Sequence, residues 1–222
     1  MSGLLKSSIG RKFAMALSAF FLMFFLLQHL VINLASIFPD NGETFNSLSY
    51  FMGTNPLVQY LLQPVLLFGV IFHFVMGFVL ELRNRNARVV SYAKNNGAAN
   101  STWMSRNMIY TGIAILAFMV FHFNDFWVPE IVDKFVDGNS QLGKDYLHHV
   151  KEMFTNPIRV AVYVIAFIFL ALHLLHGFSS AFQSVGANNK YTKGLETFSK
   201  IYAIGVPVGF IIIALFHYFN QH

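Results

Sequence analysis

The sequence of 222 residues contains no cysteine. This absence excludes disulfides, thiolate-ligated iron–sulfur clusters and the C-x-x-C-H attachment of a c-type haem within this chain. Charged residues are also scarce, at 11% of the chain, whereas hydrophobic residues make up 55%. A net charge of +5 arises from a few basic loops, so it indicates membrane topology and not nucleic-acid binding.

Five strongly apolar segments fill most of the chain. They cover residues 13–37, 58–82, 106–128, 158–182 and 201–219. Each is long enough, or nearly so, to cross about 30 Å of hydrocarbon as a helix. The first apolar run is too long for a cleaved secretory signal, so we expect it to be retained. The sequence predicts an all-α integral membrane protein in which residues 1–222 form a single bundle of five transmembrane helices.

Lysine and arginine are distributed unevenly between the connections. The connection after the first segment carries Asp40 and Glu43 and no Lys or Arg. The second connection and its edges carry the bases Arg83, Arg85, Arg88, Lys94 and Arg106. By the positive-inside rule, the N-terminus and the second and fourth connections face the cytoplasm. Five spans then place the C-terminus outside.

A shorter amphipathic pattern precedes the fourth segment. Apolar residues recur there at helical spacing among charged neighbours, at Tyr146, Leu147, Val150, Met153 and Phe154. This spacing predicts a short helix in the membrane interface before Pro157. We expect its His148 and His149 to face headgroups or water.

Every apolar segment carries histidine. The residues are His29, His73, His122, His173, His176 and His217. A neutral imidazole has two polar nitrogens that hydrocarbon cannot satisfy, so this repetition indicates a ligand inside the membrane. A zinc site would need three or four ligands at one depth.

The histidines fall at two depths when the helical rise of about 1.5 Å per residue is applied. His29 and His122 each lie about 24 Å from the cytoplasmic start of their spans. His73 lies about 14 Å from the inner end of its span, and His173 and His176 about 10–15 Å from theirs. Two levels, each with ligands from two helices, are what two stacked bis-histidine haems require. His217 has no partner in this scheme, and we interpret it as interfacial.

Short motifs around these histidines resemble a known family. They are F-L-L-Q-H-L at 25–30, His73, His122, and L-H-L-L-H-G at 172–177 followed by Ser180, Gln183 and Gly186. The chain resembles the di-haem cytochrome b membrane anchor of succinate dehydrogenase and fumarate reductase complexes, in the single-subunit class with five helices. The resemblance covers nearly the whole chain.

The resemblance implies a set of haem ligands. His29 and His122 would bind the outer haem b, and His73 and His176 the inner one, with His173 as the lesser candidate for the inner site. Ser180 is placed one turn beyond His176, where its hydroxyl can bond a haem propionate or the ligand imidazole. Depth alone does not separate His173 from His176.

The resemblance also implies partners and chemistry. Such a subunit anchors a flavoprotein with covalent FAD and an iron–sulfur protein on the cytoplasmic side of the bacterial inner membrane. It passes electrons between their clusters and a quinone, here expected to be menaquinone, in the respiratory chain and the tricarboxylic acid cycle. Such a subunit does not act on succinate itself. The resemblance leaves open whether the complex forms a higher oligomer. The expected docking surface comprises Arg83, Arg85, Arg88, Tyr92 and Lys190.

The quinone candidates are polar residues near the outer ligands: Asn33, Asn124 and Asp125. Asp125 is the only carboxylate so close to an outer ligand, and a quinone needs a proton donor near its redox centre. Leu174 stands where some fumarate-reducing relatives carry a glutamate, which favours succinate oxidation. The sequence does not fix the direction of the reaction.

Two alternatives stay open at this point. One is the cytochrome b subunit of a hydrogenase or nitrate reductase, which would copurify with nickel or molybdenum proteins. The other is a transporter or channel that uses histidines as a proton relay. That protein would be colourless, and its function would leave the two levels of histidines unexplained.

Overall fold

The computed structural model describes residues 7–86, 107–139, 141–187 and 191–221. These ranges form eight α-helices: α1 (Ser8–Leu34), α2 (Glu43–Thr54), α3 (Gln63–Asn86), α4 (Met108–His122), α5 (Val128–Phe135), α6 (Tyr146–Met153), α7 (Pro157–Ser184) and α8 (Thr192–Phe219). A 3-10 turn at Ala35–Ile37 extends α1. Two π-helical turns, Val58–Leu62 and Phe123–Trp127, lead into α3 and join α4 to α5.

Five helical stretches are long and apolar enough to cross a membrane. They are Ser8–Ile37, Val58–Asn86, Met108–Phe135, Pro157–Ser184 and Thr192–Phe219. Each holds 28 to 30 residues, which at about 1.5 Å per residue spans about 42–45 Å, the thickness of a bilayer with its headgroups. The prediction of five helices long and apolar enough to cross a membrane is confirmed, and this indicates a multi-pass membrane protein.

The predicted short helix before the fourth span is also confirmed, as α6. Asp145 caps it by accepting a hydrogen bond from the backbone N–H of His148 at 3.0 Å. Leu147 and Val150 are buried on its inner side. Helix α7 then begins at Pro157, since the side chain of Asn156 accepts from the first free N–H groups and proline suits the first helical position.

Helix α7 lies at the centre of the bundle. It packs against α1, α4 and α8, whereas α3 packs at the edge against α1 and α4. Small residues allow α8 to pack closely against its neighbours. Ala203 and Ala214 are almost wholly buried, and a Cβ on Gly209 would lie 2.9 Å from Leu30 of α1. Helix α8 has nine buried residues and α3 only two, Gly69 and Met76, so α3 is the more exposed of the two helices.

Helices α2, α5 and α6 cover one end of the bundle, which we call the capped end. The end where α1 begins and α3 finishes is called the open end. Lys144 holds the cap together, because its Nζ lies 2.6 Å from carboxylate oxygens of both Glu130 and Asp133. Partial burial lowers the pKa of Lys144, but these two carboxylates outweigh it and raise the pKa above its usual value. The cap therefore keeps its ion pairs at neutral pH.

Candidate functional site

Four histidines meet in two pairs inside the bundle. His29 of α1 faces His122 of α4, with ring centroids 5.8 Å apart and planes at 84°. His73 of α3 faces His173 of α7, with centroids 6.3 Å apart and planes at 70°. We call the first the capped pair and the second the open pair, after the nearer end of the bundle. Each pair joins two helices that lie far apart in sequence.

The two pairs are separated along the bundle by three helical turns. In α1, Ser18 contacts His73 of the open pair, and His29 of the capped pair follows eleven positions later. In α4, Thr111 contacts His173 and His122 again follows eleven positions later. Eleven residues at about 1.5 Å each make roughly 16 Å and return to the same helix face. Helices α1 and α4 therefore each place a hydroxyl side chain eleven positions before a histidine.

In the open pair, a serine fixes the proton on His73. The hydroxyl of Ser18 donates to the carbonyl of Met15 at 2.8 Å, and its Oγ lies 3.1 Å from Nδ1 of His73. With the hydroxyl hydrogen on the Met15 carbonyl, this geometry favours the tautomer of His73 that donates from Nδ1. The lone pair of His73 is then on Nε2, where it can bind a metal ion.

Thr111 does the same for His173. Its hydroxyl donates to the carbonyl of Met108 at 2.9 Å, and its Oγ1 lies 3.2 Å from Nδ1 of His173. His173 therefore donates from Nδ1 and keeps its Nε2 lone pair free. Both rings of the open pair are held in the tautomer that suits a metal ligand.

The capped pair has looser polar contacts and more aromatic ones. Nδ2 of Asn33 lies 2.8 Å from the carbonyl of His29 and 3.4 Å from its Nδ1. Nδ1 of His122 is buried and makes no hydrogen bond to the part of the chain that the structure describes. Phe25 stacks on His29 and Phe118 on His122. A buried nitrogen without a partner costs about 1–3 kcal/mol, so Nδ1 of His122 is less well satisfied than the Nδ1 atoms of the open pair.

His176, favoured by the resemblance, is not the residue that the structure brings to His73. It lies half-buried one turn after His173 on α7. Ser180 follows at the next turn, where its carbonyl accepts a hydrogen bond from Ser184 at 2.8 Å. The ring that faces His73 is that of His173.

A buried carboxylate lies next to the capped pair. The π turn after His122 places Asp125 inside the bundle, 5% exposed. Its Oδ2 accepts from the hydroxyl of Tyr163 at 2.9 Å and lies 3.3 Å from Nε of Arg159. The Tyr163 ring lies 6.3 Å from that of His122 between centroids. The three groups connect the histidine pair to the start of α7.

Residue 125 also binds α6 through its backbone. Nε2 of His149 donates to the carbonyl oxygen of Asp125 at 2.9 Å, and the ring of His149 packs edge-on against Phe126. The expectation that His149 faces headgroups or water was therefore wrong, whereas His148 is exposed as expected. Helical spacing could not reveal this bond, because the partner belongs to a different helix.

The three quinone candidates do not converge. Asn33 contacts His29, Asp125 lies beyond His122, and Asn124 is exposed on the surface of the π turn. Asn33 and Asp125 thus flank the capped pair from its two helices, α1 and the π turn after α4. Asn124 lies on the outside of this arrangement.

His217 is fully buried, which corrects its interpretation as interfacial. Its Nε2 lies 2.9 Å from the hydroxyl of Ser36, and that hydroxyl donates to the carbonyl of Asn33 at 2.6 Å. His217 therefore donates to Ser36 and ties the end of α8 to the end of α1. The turn at Ala35–Ile37 creates this contact, and no pattern in the sequence marks it.

The expected docking surface is described only in part. Arg83 and Arg85 are exposed at the open end, and Arg85 pairs with Glu81 at 2.7 Å. Arg88, Tyr92 and Lys190 lie outside the described residues.

Comparison with models of protein families, with curated proteins and with solved structures finds no match for this chain. The described part of the chain contains no group of three or more His, Cys, Asp or Glu side chains that could hold a metal ion. The two histidine pairs are thus the features of this chain that point to a function.

Proposed function

We propose that the chain is a di-haem cytochrome b that anchors a succinate:quinone oxidoreductase in the membrane and passes electrons to or from a quinone. The observation that carries this proposal is the arrangement of four histidines in two inter-helix pairs, about 16 Å apart along the bundle. Five membrane-crossing helices and the family resemblance of the motifs support it.

The donor set of each pair fits one haem. Each pair brings two imidazole side chains together from two different helices, and these two side chains would hold one haem between them. An imidazole nitrogen binds a metal at about 2.0–2.1 Å, which puts the centroids of two opposed imidazoles roughly 6 Å apart. The centroid separations of 5.8 and 6.3 Å in the two pairs lie close to that value. The free Nε2 lone pairs of the open pair add to this fit.

For the open site, the proposal takes His173 and not His176 as the partner of His73. The ring of His173 faces His73, and Thr111 holds it in the ligand tautomer. The capped site keeps the ligands that the resemblance implied, His29 and His122.

Two b haems, when bound, would supply one-electron carriers at two depths of the membrane. The histidines would hold and orient them, and the aromatic side chains around the capped pair would keep water out. Asn33 and Asp125 are the groups we assign to the quinone at the capped end. Asp125 would hold or release a proton there, while Tyr163 and Arg159 fix the direction of its carboxylate.

We infer the orientation from the distribution of charge and the partners from the family resemblance. We place the open end, with Arg83 and Arg85, in the cytoplasm of a bacterial cell, and the capped end outside. The flavoprotein and the iron–sulfur protein would then dock at the open end. The absence of cysteine suits a subunit that leaves the clusters to other chains.

Haem content tests the proposal directly. The full chain, purified with its copurifying subunits, should contain two b haems per chain that succinate reduces through the complex. A colourless preparation, or one haem per chain, would refute the di-haem assignment. Copurifying nickel or molybdenum subunits would instead identify a different respiratory complex.

A further inference from the structure

A groove of about 380 Å³ runs along the surface of α3, away from the histidine pairs. One stripe of that helix forms its wall: Phe68, Ile71, Phe72, Val75, Met76 and Val79. Arg11 of α1 and Arg83 of α3 stand at one end of it. The volume is within the range of about 300–1,000 Å³ that is common for ligand sites.

The groove faces lipid, not the interior of the bundle. Phe68, Ile71 and Val75 are 68%, 54% and 56% exposed. At about 100° per residue, His73 lies roughly 120° around α3 from the middle of the stripe. The groove is thus open to the hydrocarbon and separate from the site of the histidines.

The charge is confined to the open end. Arg11 lies in the first turns of α1 and Arg83 in the last turn of α3, so both guanidinium groups belong at the same membrane surface. Guanidinium groups bind phosphate oxygens through paired N–H donors. A molecule that matches both parts of the groove has an apolar chain joined to a phosphate.

The length of the stripe agrees with one leaflet. From Val79 to Phe68 the helix rises about 16 Å, roughly half of the 30 Å hydrocarbon core of a bilayer. We propose that this groove binds one anionic phospholipid, with the phosphate between Arg11 and Arg83 and one acyl chain along the stripe. The inference does not depend on the proposed haems.

Binding of phosphatidylglycerol to the full-length chain tests this site. The chain is purified in detergent, stripped of lipid and titrated while native mass spectrometry counts the bound molecules. We expect the unmodified chain to bind one phosphatidylglycerol, and the double variant R11Q/R83Q to bind it about tenfold or more weakly. Phosphatidylcholine, which has no net charge, should bind the unmodified chain weakly.

Arg85→Gln is the matched control, since it removes the same charge one turn or less from Arg83 on a side chain paired with Glu81. It should bind phosphatidylglycerol as the unmodified chain does. Val75→Trp fills the groove and should weaken binding while both arginines remain.

Equal binding by R11Q/R83Q and R85Q, or equal binding of the neutral lipid, would overturn the proposal. Loss of b-type absorbance in R11Q/R83Q with unchanged lipid binding would also overturn it and assign the arginines to a prosthetic group. Circular dichroism of each variant checks that the helices are intact. If the double variant unfolds, R83Q and V75W give the same test separately.

Discussion

The open pair and the capped pair hold the same kind of side chain in different surroundings. At the open pair, hydroxyls of Ser18 and Thr111 contact the two Nδ1 atoms at 3.1 and 3.2 Å, and each hydroxyl is itself fixed by its own helix. At the capped pair, one Nδ1 has a longer contact of 3.4 Å and the other has no partner in the described chain. Within the described ranges, only the capped pair has a buried carboxylate nearby, that of Asp125, one turn after His122.

This difference suggests that the two histidine pairs have different roles. No carboxylate among the described residues lies beside the open pair, which suits a site that passes electrons without a proton. A carboxylate bonded to a tyrosine and an arginine suits a site where electron transfer is coupled to proton transfer. We infer that the quinone reacts at the capped pair.

Removing a ligand should have the largest effect. His29→Ala and His122→Ala should each lose the same haem, and His73→Ala and His173→Ala the other, leaving about one haem b per chain. His176→Ala is the matched control and should keep both. Pyridine haemochrome assays and low-temperature difference spectra measure this. A variant H176A that loses a haem while H173A keeps both would reverse the assignment at the open pair.

The second-largest effect is expected at the buried carboxylate of Asp125. Asp125→Asn should slow quinone reduction by about 10²-fold without loss of haem, because the amide cannot exchange the proton. Steady-state succinate:quinone activity and haem content are measured together. Glu152→Gln, at an exposed acid on α6, is the control and should leave turnover unchanged. Full activity in D125N would remove Asp125 from the quinone reaction.

Substitution of Ser18 and Thr111 gives a finer test of the open pair. Ser18→Ala and Thr111→Val remove the acceptor for an Nδ1–H and should weaken haem retention at that pair about tenfold, as is typical for partners of metal-bound histidine. The capped haem should be unaffected. Asn33→Ala should have a smaller effect on the capped haem, since its contact with Nδ1 of His29 is long. Transfer of haem to an acceptor protein that lacks haem measures retention at both pairs. Equal losses at the two pairs would contradict the difference between them.

A smaller effect is expected where neither pair is involved. Ser36→Ala leaves the buried Nε2–H of His217 without an acceptor and should lower the free energy of unfolding by about 1–3 kcal/mol. Ser184→Ala, whose hydroxyl bonds only its own helix, is the control and should cost less. Thermal unfolding in detergent measures the difference. A change in haem spectrum for S36A would show that this contact also supports the capped pair.

The smallest effect is expected in the cap, at Asp145. The backbone N–H of His148 and the amide of Asn46 lower the pKa of Asp145 below its ordinary value of 3.8. The ionised form is therefore favoured in the folded state, so its stabilisation is present above about pH 4 and lost as the pH falls through the lowered pKa. Asp145→Ala should cost about 0.5–2 kcal/mol at pH 7. It should cost less near pH 3, and unfolding curves at both values check this.

The sequence by itself determined the five spans, the short helix before Pro157 and the two depths of histidine. These depend on local quantities: the length of an apolar run, the spacing of apolar residues and the helical rise per residue. Position along one helix is enough to give depth. The pairing of His29 with His122 could thus be anticipated, although the two belong to distant segments.

Only the tertiary structure decided which side chains face each other. His173 and His176 differ by less than one turn, or about 4.5 Å in depth, so depth could not choose between them. The choice depends on where α3 and α4 pack around α7. Burial of Asp125 and His217 likewise required the π turn and the turn at Ala35–Ile37. Such contacts join residues from separate helices, and no local pattern along the chain records them.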